Sequence, residues 1–483
     1  MIVPNGIGLR LIASVDHWGW DMDKLLDHPF PKGMGLHILA LSNGHGEDTI
    51  GAQILQAVQR EVATDAPRAH DTGAHDTGAK RTVTVTALPL VGEGKAYERA
   101  GIDCISPVRS HPPSGGFLYM DFRQLWGDLQ NGLVGVTLRQ WQLVKTWTQT
   151  SEKSGGQPLV LEVGDIVPLL FAWRSQAPYS FVGTAKSEYY LRDSNGEFLR
   201  SRRSEGWSGS VYLPWERWLM ARPRCKAVFP RDRLTTDILK QWAIPALDLG
   251  NPMMDGFLPF LEGEPLAGPP TVSPNPPPSP DEPLKLLIIP GSRSPEAYRN
   301  WTQLLELGTA IAQDWDGRPV EIQGAIAPGL DLNALNALIA TLATPWQSGS
   351  IPNTWHRGTV TLQLSVGQFY EQALNTHIGL AMAGTATEQL VGLGQPIVTM
   401  AGQGPQFTPA FAEAQTRLLG SSILLVDTVD EGVKTVRSLL ETPQQWSAIT
   451  QNGRDRLGVP GAAKRIAQHF LKLSLEPRKI TQA

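Results

Sequence analysis

The sequence predicts an α/β protein made of two Rossmann-like units, each with a parallel sheet. Three observations predict it. A strand-length apolar run leads into a glycine turn and then a helix near each end of the chain. Leu36–Leu41 enters Ser42-Asn43-Gly44-His45-Gly46-Glu47-Asp48, and Ile378–Ala383 enters Gly384-Thr385-Ala386-Thr387. Strand, turn and helix in that order form the repeating piece of a parallel sheet. Between the two lies Pro265–Pro283 with nine prolines, which can be neither helix nor sheet and so mark a linker. Finally, 483 residues are too many for one ordinary core.

Residues 1–33 scatter Pro, Gly and Trp without a period and are expected to form a poorly ordered extension. The first unit is placed at 34–261. After Leu36–Leu41, a helix is expected from about Thr49 to Val62, with Ile50, Ile54, Ala57 and Val58 on one stripe. The tandem repeat AHDTGAHDTGA at 69–79 has no large apolar residue and reads as a solvated loop. Thr82–Leu88 is the next strand. Between Phe117 and Trp147 run two helical patterns, Phe122/Leu125/Trp126/Leu129 and Leu138/Trp141/Val144. They suit a core face, or an interfacial one given their tryptophans and Gly115–Tyr119. Pro158–Val163 and Tyr179–Val182 are strands, and the polar stretch Arg192–Ser210 reads as a flap or insertion. A strand at Ala227–Pro230 and a helix at Asp232–Trp242 lead to Asn251-Pro252-Met253-Met254-Asp255.

Past the linker, 262–283, the second unit is placed at 284–457. It opens with Leu284–Ile289 and Pro290-Gly291-Ser292-Arg293, followed by a helix capped by Ser294 with Pro295 in its first position. Strands and helices alternate to Asp427. The tail, 458–483, holds a helix at about Gly461–Leu473 that is expected to pack back on the first unit.

Composition narrows the function. Apolar content of 41% and charged content of 18% describe a soluble globular chain, and a net charge of −4 argues against a nucleic-acid partner. The two cysteines, Cys104 and Cys225, lack metal-type spacing and fit a reducing compartment. The longest apolar run, Leu159–Trp173, is broken by Glu162, Asp165 and Pro168, and residues 1–33 do not form a signal peptide. The expected location is cytoplasmic, with peripheral contact to the inner face of a membrane left open.

Two turns carry the chemistry. Gly384-Thr385-Ala386-Thr387-Glu388 sits where a strand's carboxyl end meets a helix's amino end. Free N–H groups and the helix dipole favour an anion there. It has no P-loop lysine. Such a turn suits a nucleotide diphosphate, with Glu388 near sugar hydroxyls; the same residues also fit a capping box.

Several motifs in a fixed order resemble the lipid-A-disaccharide synthase family of inverting glycosyltransferases, over about Leu36 to Leu473. They are Pro290-Gly291-Ser292-Arg293, Ala383-Gly384-Thr385-Ala386-Thr387-Glu388, Gly250-Asn251-Pro252-Met253-Met254-Asp255, and Phe229-Pro230 ahead of its helix. The Ser-Asn-Gly-His-Gly-Glu-Asp turn resembles the synthase-related branch seen in photosynthetic bacteria. The true synthases have Ala-Gly-Glu-Ala-Ser-Gly-Asp there.

The resemblance implies the GT-B fold, with a UDP-sugar (a GlcNAc-type sugar) as donor and a lipid or other amphipathic acceptor. It implies that Ser292 and Arg293 contact the diphosphate, that Gly384, Thr385, Ala386 and Thr387 bind phosphate, that Glu388 binds the ribose, and that Gln406 faces the donor sugar. Neither a metal nor any further cofactor is then required. The first turn, with Asn43, Gly44, Gly46 and Glu47, would face the acceptor. A UDP-GlcNAc 2-epimerase-like isomerase and a non-catalytic nucleotide-sugar-binding or membrane scaffold are the alternatives.

An inverting transfer needs a base for the acceptor hydroxyl. His45, in the first glycine turn, is placed first, since an imidazole titrates near neutral pH. Asp165 ends the Pro158–Val163 strand and resembles the strand-end aspartate of the synthases. It is expected to orient His45 or the hydroxyl.

Overall fold

The computed structural model describes residues 35–64, 82–105, 133–202, 204–261, 275–279, 281–341 and 345–473. The N-terminal extension, the tandem repeat at 69–79, the Phe122–Leu129 pattern and most of the proline linker lie outside the described residues.

Six strands form the first sheet: β1 (Leu36–Ser42), β2 (Val83–Pro89), β3 (Asp103–Cys104), β4 (Gln157–Gly164), β5 (Tyr179–Gly183) and β6 (Cys225–Phe229). Their order is β3-β2-β1-β4-β5-β6, and every pairing is parallel. β1 is central, and its run Ile38–Leu41 is apolar and fully buried, as a strand covered by helices on both faces must be. One face packs Ile38, Ala40 and Leu161 against the helix His45–Thr64, and the other packs Leu39, Leu41 and Val160 against Val144, Trp147 and Leu169.

The second sheet has eight strands: β7 (Leu284–Ile289), β8 (Val320–Ile326), β9 (Gln347–Ser348), β10 (Thr354–Arg357), β11 (Val360–Val366), β12 (Ile378–Ala381), β13 (Ile397–Met400) and β14 (Ile423–Val426). Their order is β14-β13-β12-β7-β8-β11-β10-β9. The even strand–helix alternation expected to Asp427 fails at one edge, where β10 runs antiparallel to both β9 and β11. The cause is local, because Arg357 and Val360 are joined by a tight Gly358-Thr359 turn, with Gly358 at φ +59°, a region glycine enters freely.

Two helix starts differ from expectation. The first helix runs His45–Thr64, so His45-Gly46-Glu47-Asp48 is its opening turn rather than part of the loop. The Asp48 N–H donates to the Gly44 carbonyl at 2.8 Å, and Glu47 and Asp48 suit the positive end of the dipole. The helix after β7 begins at Glu296, with Pro295 before it and no side-chain cap from Ser294. Of the Leu138/Trp141/Val144 pattern, in the helix Leu133–Lys153, Val144 is core along with Trp147, whereas Leu138 is 50% exposed.

The helix Ala462–Leu473 lies on the first unit. Ala463, Ile466, Ala467 and Phe470 are buried in the same cluster as Ile38, Ile54 and Val58. Its start is fixed by Asp255, whose carboxylate accepts from the N–H groups of Gly461, Ala462 and Ala463 at 2.7, 3.0 and 2.7 Å. Among the described residues no helix is long and apolar enough to cross a membrane.

Candidate active site

The carboxyl ends of adjacent strands β12 and β7 bring two of the sequence motifs together. Gly291, at φ +96°, runs so close to the end of β12 that a Cβ there would lie 3.2 Å from the Met382 carbonyl oxygen. Pro290–Arg293 and Gly384–Glu388 are therefore side by side. The loop after β13 joins them through buried Glu296, which accepts from the Phe407 N–H at 2.6 Å and the Gln406 N–H at 3.3 Å. Ser292, Arg293, Thr385 and Gln406 all expose their side chains at this mouth. Arg293 makes no side-chain hydrogen bond or ion pair among the described residues.

The helix Thr385–Gly392 starts from Gly384 without a side-chain cap. Its first intrahelical bond runs from the Glu388 N–H to the Gly384 carbonyl, so the Thr385, Ala386 and Thr387 N–H groups stay free of the helix ladder. Two roles change. The Thr387 side chain is fully buried and its hydroxyl donates to the Ala383 carbonyl at 2.8 Å. Only its backbone N–H can serve an anion. Glu388 does not close a capping box. Its Oε2 takes the Nη2 of Arg231, from the other unit, at 2.6 Å.

That ion pair means the carboxyl ends of the two sheets face each other across a cleft. On the opposite wall, the exposed His45 lies over Gly92, where a Cβ would come within 3.3 Å of its ring. Behind it runs a buried chain in which the Tyr97 hydroxyl donates to Ser42 Oγ at 2.9 Å and Ser42 Oγ to Asp48 Oδ1 at 2.6 Å. Burial pushes the Asp48 carboxyl up to about 6, against the pull of Ser42. Asp165 caps the helix Ile166–Arg174 through the Val167 N–H at 2.9 Å. Both its oxygens accept from Asn43 Nδ2 at 3.2 Å. Burial raises Asp165 more than these bonds lower it. Glu47, half-buried, is also raised by burial, and Thr184 Oγ1 donates to it at 3.4 Å.

Of the residues expected to face the acceptor, Glu47 and the exposed Gly46 remain on the cleft wall. Asn43 is buried beside Asp165 and supports that carboxylate. Gly44 is the close-fitting turn, where a Cβ would meet Glu47 Oε2 at 2.6 Å. Sequence reasoning missed Arg231 and the buried pair Lys186–Glu216 at 2.6 Å. A charged residue just past the end of β6, in Phe229-Pro230-Arg231-Asp232, was the available signal, because the sites of α/β proteins gather at strand carboxyl ends.

No family model and no curated protein matches the chain. Among solved structures, it is similar to a protein of Listeria monocytogenes assigned as a UDP-N-acetylglucosamine 2-epimerase. The identity is 12%, over 91% of this chain and 97% of that one, with a TM-score of 0.51. Lower-scoring matches include the UDP-GlcNAc 2-epimerase of Neisseria meningitidis bound to UDP-GlcNAc (14% identity, 90% and 100% covered, TM-score 0.47). Another is MurG of Acinetobacter baumannii (12% identity, 90% and 99% covered, TM-score 0.48). The first likeness bears on the fold: this chain has the GT-B architecture of two Rossmann-like domains facing a cleft.

Proposed function

We propose that the protein is a glycosyltransferase that moves a sugar, of GlcNAc type, from UDP to a hydroxyl of a lipid or amphipathic acceptor with inversion, as in the lipid-A-disaccharide synthases its motifs resemble. The observation that carries this reading is Arg293. It is an exposed, unpaired guanidinium held beside a helix start with free N–H groups. A fork of donors next to a positive dipole end matches a diphosphate and stabilises the charge that grows on departing UDP. Ser292, Gly384, Thr385 and Ala386 complete that cradle, with Thr387 adding its N–H, Glu388 taking the ribose and Gln406 facing the sugar. His45 takes the acceptor proton from the opposite wall while Asp165 and Glu47 orient the acceptor.

Incubation with a panel of UDP-sugars tests the reading. UDP release that depends on added lipid extract supports transfer. Conversion of the sugar without release makes the protein an epimerase, and no change with retained binding makes it a scaffold. Arg293→Ala is expected to weaken UDP binding by about 10- to 100-fold in calorimetry, the scale of a hydrogen bond to a charged group. Unchanged affinity would remove Arg293 from the site.

A lipid acceptor has a supporting surface. The helix capped by Asp165 carries Leu170, 42% exposed, and Trp173, whose ring meets Trp218 edge-on at 5.6 Å. Trp215 and Trp218 are 53% and 46% exposed. Arg222 stacks over Trp218 at 4.0 Å, and Arg174 over Trp141 at 4.4 Å. Indoles with cations beside them suit a bilayer interface with anionic headgroups. The wild-type protein is expected to co-sediment with anionic vesicles, and Trp215→Ser with Trp218→Ser to stop it. Wild-type protein that binds no vesicle composition would return this face to ordinary surface. Leu118 and Trp126, the residues to which the sequence first pointed for this contact, lie outside the described residues.

A further inference from the structure

Arg231 stands on the acceptor side of the cleft but reaches the donor side. It lies two residues past the end of β6, and its guanidinium side chain is only 4% exposed. Nη1 donates to the Thr184 carbonyl at 3.1 Å and Nη2 to Glu388 Oε2 at 2.6 Å. Glu388 lies in the first turn of the helix that opens with the free N–H groups. Its carboxylate is thus held by one oxygen, while Oε1 accepts no hydrogen bond among the described residues.

We infer that Arg231 is a positioning residue for the donor nucleotide: it fixes Glu388 so that Oε1 is presented to the hydroxyls of a ribose, and so makes the site select ribonucleotides over 2′-deoxyribonucleotides. The inference rests on the proposed use of a UDP-sugar. Its physical basis is geometric. A glutamate in a first helical turn has several rotamers open to it, including those that fold back on its own helix's N–H groups. A charge-assisted bond to a guanidinium that is itself anchored to a backbone carbonyl removes that freedom and leaves one acceptor free. A ribose then meets a carboxylate already in place, whereas a sugar lacking the 2′-hydroxyl leaves Oε1 unpaired.

A second consequence separates this role from simple domain tethering. The units are also joined by Gln389 Nε2 to the Met253 carbonyl at 2.7 Å, by Arg202 to Glu413 at 2.9 Å, by Arg456 to Ser194 at 3.0 Å, and by Arg417 to the Tyr190 carbonyl. Removing Arg231 leaves all of these in place. The selectivity, and not the closure of the molecule, should depend on it.

The test is calorimetric titration of the full chain with UDP and with 2′-deoxy-UDP, for the wild type, Arg231→Met and Arg231→Lys, with the melting temperature and the radius of gyration from small-angle scattering recorded for each. Expected are a wild-type preference for UDP of about 10-fold or more, the scale of one hydrogen bond to a charged acceptor, a Met variant in which most of that preference is gone because UDP loses affinity and 2′-deoxy-UDP does not, and a Lys variant between the two. A Met variant with the wild-type preference overturns the inference, even if it melts earlier. Wild-type binding without any preference overturns it too, because Glu388 would then not read the ribose. Wild-type protein that binds neither nucleotide overturns the UDP-sugar reading itself, and is recognised by the absence of heat before any variant is made.

Discussion

Replacing His45 by alanine is expected to lower turnover at saturating UDP-sugar by about 10²–10⁴-fold, the usual contribution of a general base, while UDP affinity stays at the wild-type value. The substitution is clean. His45 is an exposed side chain in the first turn of its helix and contributes nothing to the core. It also lies across the cleft from the phosphate cradle, so loss of donor binding has no route. Asp165→Asn is the necessary companion. Its carboxylate is already engaged by the Val167 N–H and by Asn43, which suits an orienting group better than a proton acceptor, so a smaller loss is expected. Near-normal turnover in His45→Ala together with a dead Asp165→Asn would reverse the two roles. Both variants are to be read by UDP release with acceptor present, at several pH values, because a base removed from a reaction also removes its limb of the pH profile.

The second large effect concerns stability. Asp255→Ala is expected to destabilise the protein by about 3–5 kcal/mol, since three N–H groups at the start of the helix Ala462–Leu473 lose their acceptor together. With the helix start loosened, the burial of Ile466 and Phe470, each fully buried and each worth about 1.5–3 kcal/mol, is weakened as well. The melting temperature should fall by on the order of 10 °C. Urea denaturation followed by tryptophan fluorescence gives the free energy directly. A change below about 1 kcal/mol, the value for an ordinary single hydrogen bond, would show that the helix is held by its apolar face alone.

Much of the architecture was legible because parallel strands buried on both faces leave strong apolar runs, and glycine turns follow them. β1, β4, β7 and β12 were all visible in this way. The antiparallel edge at β9 and β10 was not. It is short and mixed in polarity, with Thr354-Trp355-His356-Arg357 as its main strand, so although its partners are near in sequence no apolar run marks it. Helix starts were displaced where a residue had two plausible roles. His45 resembles a loop residue beside two glycines, and Pro295 resembles a first helical position. The motif at 384–388 was readable as an anion-binding turn, but no local pattern could say that Glu388 bonds a residue 157 positions away. In the same way, Glu162 broke an apolar run and gave no sign that its carboxyl would be fully enclosed, with neither oxygen hydrogen-bonded and its pKa driven far up by burial.

The return of the helix Ala462–Leu473 to the first domain has a consequence for the order in which the molecule can be completed during synthesis. Strands β1 to β6 leave the ribosome well before the residues that cover Ile38, Ile54 and Val58 on that side of the sheet. The second domain, whose main core cluster is separate, is made in between. It can close on its own while its predecessor still shows an apolar stripe to its surroundings. The nascent first half therefore has to be shielded, by its own transient collapse or by a chaperone, until the last helix arrives to replace whatever has been covering it.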